Sequence, residues 1–397
     1  MASFLHAADL HLGMRITRFD PHTTGKVREA RFTALDNILK KTRDLRVDFV
    51  VIAGDLFDDA AVDNLTARRA YEILDSFPVP VYILPGNHDP LLSGGVWDRP
   101  PWNQQPGKHI RLLNKREPVE VGPGLLLLPC PVLRKTCMDD PTAWILNASE
   151  TNGTIRLGIA HGSLKTRDDL PLDDHLIARY AATEQNLDYL ALGHWHSRQV
   201  FADPDGVERT AYPGVHEPMR FQGNGDGQTG WIPYGGAGRK EFLDDGRGEV
   251  LHVRIPNAKA VPQITALEVG HFTWLEETRA LASREDLEAL IQEVATREGL
   301  ERRLLQLNLS GVLDAESTMR LEELREVLKR YQLGALDETN LHLKPTEEEM
   351  REIAGQGVLS RVLERLQNEG ASSEPAVRQV AERATLLLYQ IARGVKG

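Results

Sequence analysis

Five short apolar runs in the first half of the chain each lead into a side chain that can bind a metal or move a proton. Ser3 to Ala8 runs into Asp9 and His11, Asp48 to Ala53 into Asp55, and Val79 to Leu84 into Asn87, His88 and Asp89. Arg156 to Ala160 ends at His161, and Asp188 to Leu192 leads to His194 and His196. Apolar runs of this length read as strands of a buried sheet, as does Leu125 to Leu128. Ala30 to Arg43 and Leu65 to Phe77 between them read as helices, with Leu35, Ile38 and Leu39 on one face of the first. Alternating strand and helix predicts a layered α/β domain, in which sites form at the carboxyl ends of strands. A lone Asp-x-His or Gly-Asp is a common turn. An ordered set at five strand ends points to one metal site.

Seven of these side chains can coordinate: Asp9, His11, Asp55, Asn87, His161, His194 and His196. They are too many for one tetrahedral ion, but suit two divalent metal ions about 3.5–4 Å apart that share a carboxylate. Asp55 is the natural bridge. Carboxylate, amide and imidazole donors without thiolate predict manganese, iron or zinc. Two such ions bind phosphoryl oxygens and acidify a water, so no serine or cysteine nucleophile is needed. His88, next to Asn87, is left for catalysis as the group that protonates the leaving oxygen or stabilises the transition state, and Asp89 is a candidate to orient its ring and support its charged form.

The remaining sequence divides by pattern. Residues 203–248 are rich in glycine and read as a long loop or hairpins, and Gly248 to Ile255 alternates as a strand closing the first domain. A second alternation follows. Ser283 caps a helix with Leu287, Leu290, Ile291 and Val294 on its apolar face, Leu305, Leu307 and Leu309 alternate as a strand, and Met319, Leu324, Val327 and Leu328 mark another helix. The tail reads as helical, with a capping-box signal at Thr346 and Glu349, interruption at Gly355 and Gly357, and a polar linker from Asn368 to Ser373. Pro375 then suits a first helical turn ahead of Val377, Val380, Ala384, Leu387, Leu388 and Ile391. The expected domains are residues 1–258, 259–345 and 346–397.

Charge limits the partners. The 397 residues carry 47 Lys plus Arg against 58 Asp plus Glu, a formal charge of -11, which excludes a protein that holds nucleic acid by a broad basic surface. Arg15, Arg18, Arg28 and Arg31 are candidates for phosphate contacts, and equally for solvated charges. Cys130 and Cys137 form no disulfide framework, the N-terminus has no basic signal region, and no apolar run approaches the roughly 20 residues of a membrane helix. A soluble, cytoplasmic protein with no membrane contact is expected.

The ordered motifs DLH, GDLFD, GNHD, AHGS and GHWH resemble those of the calcineurin-like metallophosphoesterase superfamily over roughly residues 4–200. HAADLHLG, AGDLFDD, LPGNHDP and YPGVHEP are similar to its SbcD-like DNA repair nucleases, although the family's PGS is PGV here and residues 222–246 are longer and richer in glycine. The resemblance implies one metal on Asp9, His11, Asp55 and His196 and a second on Asp55, Asn87, His161 and His194, with His88 catalytic and manganese the activator. It further implies a two-sheet sandwich flanked by helices, a small α/β capping domain that helps hold DNA, and a helical tail. An SbcC-like coiled-coil ATPase and a second copy of the chain are the partners it suggests.

The leading expectation is therefore a two-metal phosphodiesterase that cuts DNA, as exonuclease or endonuclease. The same metal site supports a second reading, a phosphodiesterase or phosphatase acting on a small nucleotide. A non-enzymatic scaffold with a decayed site is disfavoured, because no ligand is missing and His88 is present.

Overall fold

The structure is a computed structural model. It describes residues 1–104, 107–148, 153–166, 175–221, 247–343 and 358–374, with eight further positions between 377 and 388. The glycine-rich stretch 222–246, the signals at Thr346, Glu349, Gly355, Gly357 and Pro375, and Ile391 lie outside the described residues.

Two six-stranded sheets form the first unit. In the first, β1 (Ala2–Ala7), β2 (Phe49–Ala53), β3 (Val81–Leu84) and β4 (Ile110–Leu112) run parallel. The second places β5 (Val119–Gly122), β6 (Leu125–Cys130), β7 (Ile155–His161), β8 (Tyr189–Gly193), β9 (Gln199–Ala202) and β10 (Glu208–Tyr212) in the order β5-β6-β7-β8-β10-β9. Its central pairs β6·β7, β7·β8 and β8·β10 are parallel. On the far side of β1, β11 (Glu249–Ile255) pairs antiparallel with it, and β12 (Gln263–Glu268) pairs antiparallel with β11. Because β12 extends this sheet, the first compact unit continues past residue 258 to Leu275 and takes in Arg302–Leu304.

Side-chain alternation sends each strand's residues to two cores. Phe4, Phe49, Val51 and Leu84 of the first sheet meet Leu127, Leu157, Ile159 and Tyr189 of the second. Phe4 stacks on Phe49 at 4.9 Å and meets Tyr189 edge-on at 5.7 Å. On its other face the first sheet packs on α1 (Pro21–Leu45) through Phe32, Leu35 and Ile38, and on α2 (Asn64–Asp75) through Ala67, Ala70 and Leu74. The second sheet's outer face covers Ile145, Ile177 and a short helix, α3 (Ala181–Glu184). Asp20 and Asp63 cap the first two helices, each accepting two backbone N–H groups, and Pro21 occupies the first turn of α1. The architecture is the expected sandwich with helices outside it.

The second unit, Glu276–Glu301 and Leu305–Gly397, is a smaller α/β body. Its sheet has the order β13 (Thr273–Leu281), β14 (Arg303–Leu313), β15 (Leu333–Leu343), accompanied by α4 (Arg284–Thr296) and α5 (Ala315–Leu328). Ser283 makes the capping box of α4 with Asp286, and Leu287, Leu290 and Val294 are buried. A further helix, α6, spans Val358–Gly370. Among the described residues no helix is long and apolar enough to cross a membrane.

Candidate active site

All five parallel strands named for their terminal residues end at one edge of the sandwich, and their loops meet there. Four of the site residues have left-handed backbones: Asp9 (φ 54°), His11 (φ 44°), Asp55 (φ 52°) and His194 (φ 112°). Such angles cost side-chain-bearing residues on the order of 1–3 kcal/mol each and persist where surrounding structure imposes them. Here the imposing contacts are backbone hydrogen bonds. Asp9 and His11 donate to the carbonyls of Gly54 and Asp55 at 3.1 and 3.0 Å, and the His194 N–H donates to the Asp9 carboxylate. His88 donates its N–H to Asp55 Oδ1 at 2.9 Å.

The glycine before Asp55, Asn87 and His194 has a steric cause in each case. A Cβ on Gly54 would lie 2.0 Å from His161 Nδ1, one on Gly86 2.1 Å from Asp55 Oδ1, and one on Gly193 2.0 Å from the Ala53 carbonyl. GD, GN and GH are thus close approaches between strand ends as well as turns.

The side chains converge in two groups. Asp9, His11 and His196 form one, with His11 Nε2 3.2 Å from His196 Nε2 and Asp9 Oδ1 4.0 Å from both imidazoles. His161, Asn87 and His194 form the other: Asn87 Oδ1 lies 2.7 Å from His161 Nε2 and 3.2 Å from His194 Nδ1. Asp55 lies between, its Oδ2 3.2 Å from His161 Nε2 and 3.9 Å from His11 Nε2. Two imidazoles are set by hydrogen bonds on their far nitrogen. His161 donates Nδ1–H to the Ala53 carbonyl at 2.9 Å, and His11 donates Nδ1–H to Asp58 Oδ1 at 3.1 Å, which turns both Nε2 atoms inward.

Burial and charge oppose each other here. Burial disfavours a charged His161, yet the Asp55 carboxylate outweighs it and pushes the His161 pKa up to about 9. Burial likewise acts against ionised Asp55, but His161, His11 and His88 hold it well below the usual carboxylate range. Asp9 is raised, by burial first and by the charge of Asp55. These carboxylates and inward nitrogens, fully buried for Asp9, His11 and His161, form a site that fits cations.

His88 sits at the rim with its ring edge-on to His11, centroids 4.7 Å apart. Its Nδ1–H is donated to the Asp58 carbonyl at 2.8 Å, and Asp58 Oδ1 is 3.9 Å away. Asp89 does not hold that ring. It is fully buried, and its carboxylate accepts the N–H groups of Phe57 at 3.0 Å and Gly86 at 2.7 Å, bracing the two loops that carry Asp55 and Asn87. Asp58, which sequence reasoning passed over, meets both His11 and His88. Its only signal was the second acidic position of GDLFDD.

The arginine candidates separate. Arg15, Arg18 and Arg28 are exposed, Arg18 lying over the Phe221 ring at 4.9 Å. Arg31 is 1% exposed and its guanidinium is bonded inside the fold, so it cannot reach a substrate phosphate.

Residues 2–198 match the sequence profile described as calcineurin-like phosphoesterase. They are a calcineurin-like metallophosphoesterase domain. The phosphoesterase's curated relatives include the uncharacterized metallophosphoesterase YhaO of Bacillus subtilis, 26% identical over 56% of this chain and 55% of that protein. The DNA double-strand break repair protein Mre11 of Aeropyrum pernix is 25% identical over 56% of this chain and 55% of its own length. The SbcD component of the nuclease SbcCD of Escherichia coli is 26% identical over 55% of this chain and 61% of its own. The chain spans little more than half the length of these relatives.

Proposed function

We propose that this phosphoesterase is a two-metal phosphodiesterase that hydrolyses DNA, an SbcD-like nuclease. The observation that carries the reading is Asp55, set between two clusters of donors with a carboxylate oxygen near His11 and His161. Asp9, His11, Asp55 and His196 would hold one ion; Asp55, Asn87, His161 and His194 would hold the other. Two divalent ions, when bound, neutralise phosphoryl oxygens and lower the pKa of a water. We assign manganese as the activator. His88, with Nδ1 committed to Asp58, passes a proton from Nε2 to the leaving oxygen. Asp58 sets the rings of His11 and His88, and Asp89 serves the loops.

DNA as substrate is supported by the names of the Mre11 and SbcCD relatives. On this reading residues 259–345 help hold DNA, the helical tail meets a coiled-coil ATPase, and the chain pairs with a second copy. The charge of -11 favours the second reading, a phosphodiesterase or phosphatase for a small nucleotide. One assay separates them: labelled linear duplex, single-stranded DNA, a cyclic dinucleotide and bis-p-nitrophenyl phosphate, each with manganese. Cleavage of either DNA, lost in His88→Ala, is expected. Turnover of the small esters with both DNAs intact would sink the nuclease reading and leave the phosphodiesterase.

A further inference from the structure

We infer that Arg31 is a positioning residue for the metal site, one that fixes the backbone of the Asp9–His11 loop by holding the Leu10 carbonyl. The inference rests on the two-metal reading. Arg31 stands on α1, where helix periodicity calls for an apolar side chain, yet it is 1% exposed. Its Nε and Nη2 donate to the Leu10 carbonyl at 2.9 and 2.6 Å, and Nη1 donates to the Glu217 carbonyl at 3.3 Å. A buried guanidinium is costly unless its donors are met. An ordinary core position would take leucine or methionine at less cost.

What Arg31 grips explains the charge. Leu10 lies between two left-handed residues, Asp9 and His11, so its carbonyl is turned out of the regular strand ladder. On one side this loop is tied to the loop carrying Asp55, through Asp9, His11 and Leu12 donating to Gly54, Asp55 and Leu56. On the other side it has the forked contact from Arg31. Rotation of the Leu10 peptide would release both neighbouring side chains from the site, and the fork opposes that rotation.

Arg31 is itself braced. His216 Nε2 donates to the Arg31 carbonyl at 2.9 Å, and the Glu217 carboxylate accepts the N–H groups of His271 and Phe272. The acidic groups facing the guanidinium are Glu217, Asp58 and Asp9, and His216 is the other titratable neighbour. The segment Tyr212 to Pro218 therefore reaches the site through Arg31. Lysine cannot reproduce the fork, because a single ammonium offers no planar pair of donors.

The test is manganese titration calorimetry on metal-free wild type, Arg31→Lys, Arg31→Met and Ile38→Ala, with melting temperatures and with kcat and KM for bis-p-nitrophenyl phosphate. Ile38 is buried on the same helix about two turns beyond Arg31 and makes no hydrogen bond to Leu10, so its truncation reports general destabilisation. Wild type is expected to bind two ions. Both Arg31 variants are expected to bind manganese about tenfold or more weakly, with kcat of Arg31→Lys recovering at high manganese and KM little changed. Ile38→Ala is expected to melt lower but bind as wild type. Wild-type affinity in Arg31→Lys, a loss no greater than in Ile38→Ala at matched melting temperature, or failure of both Arg31 variants to fold would each overturn the inference. A wild type that binds no manganese would overturn the two-metal reading instead.

Discussion

His88 offers one ring nitrogen for proton transfer because the other is already committed to the Asp58 carbonyl. The Asp58 carboxylate, 3.1 Å from His11 Nδ1, joins that rim group to a candidate ligand. Asp58→Ala should therefore lower kcat on bis-p-nitrophenyl phosphate roughly 10–100-fold and weaken manganese binding, as loss of a ligand-orienting carboxylate does. His88→Ala should lower kcat by about 10²–10⁴ and leave manganese affinity unchanged. Manganese calorimetry beside steady-state kinetics distinguishes the two. Asp89→Asn should act on stability, because an amide can accept only one of the two N–H groups that Asp89 holds. A loss of about 1–3 kcal/mol is expected in urea unfolding. The sequence could not separate these aspartates. Asp58, Asp59 and Asp89 are each an acidic residue after a strand, and only the folded loops show Asp59 accepting from Ala61 while Asp58 faces the histidines.

At the scale of elements, the strands that were legible are those buried on both faces. β1, β2, β3, β6, β7 and β8 are almost wholly buried and mainly apolar, with Ser3, His6, Arg156 and His161 as polar exceptions, whereas β4, β5 and β9 are short and partly exposed and leave little pattern. β12 alternates, which marks a half-buried strand but does not say which sheet it joins. α1 begins at Pro21, well before the apolar stripe, since the Asp20 cap and Pro21 start a helix whose first turns carry Thr23, Thr24 and Gly25. The glycines at strand ends read as turns, and their close contacts are tertiary. Gly193→Ala should therefore be severe: its Cβ meets the Ala53 carbonyl, and a backbone atom cannot swing aside. Loss of both manganese binding and activity is expected, and a variant with wild-type calorimetry would refute the packing argument. Tyr212, sequence-remote from the site, bridges the Gly162 carbonyl at 2.8 Å and the Leu164 N–H at 2.7 Å. Removing its hydroxyl leaves both of those contacts open beside His161.

For the whole molecule, stability against pH is set partly by two buried groups of opposite sign. His6 lies between the sheets, donating Nε2–H to the Leu192 carbonyl at 3.1 Å while Nδ1 faces the Tyr189 hydroxyl at 2.9 Å. Burial pulls its pKa down from 6.5 to about 3, with only the Leu192 hydrogen bond acting against it. Between those values the unfolded chain takes up a proton that the folded chain refuses, so stability falls as pH drops from about 6.5 towards 3. Glu217 behaves in the reverse sense. Burial raises it from 4.5 to about 7, against hydrogen bonds from His271 and Phe272, so the folded chain holds the extra proton and stability falls as pH rises through that window. From pH 4.5 to 6.5 the two slopes oppose, and below 4.5 the histidine slope continues without that of Glu217, beside the slopes of carboxylates such as Asp55 that are held below their usual range. His6→Gln, which keeps a donor for Leu192 without a titrating nitrogen, should flatten the loss of stability below pH 4.5. Its urea midpoint, followed by tryptophan fluorescence from pH 3.5 to 7.5 in chelator, should then depend less on pH than that of wild type at the acid end. An acid limb unchanged in this variant would place the proton uptake elsewhere and refute the assignment to His6.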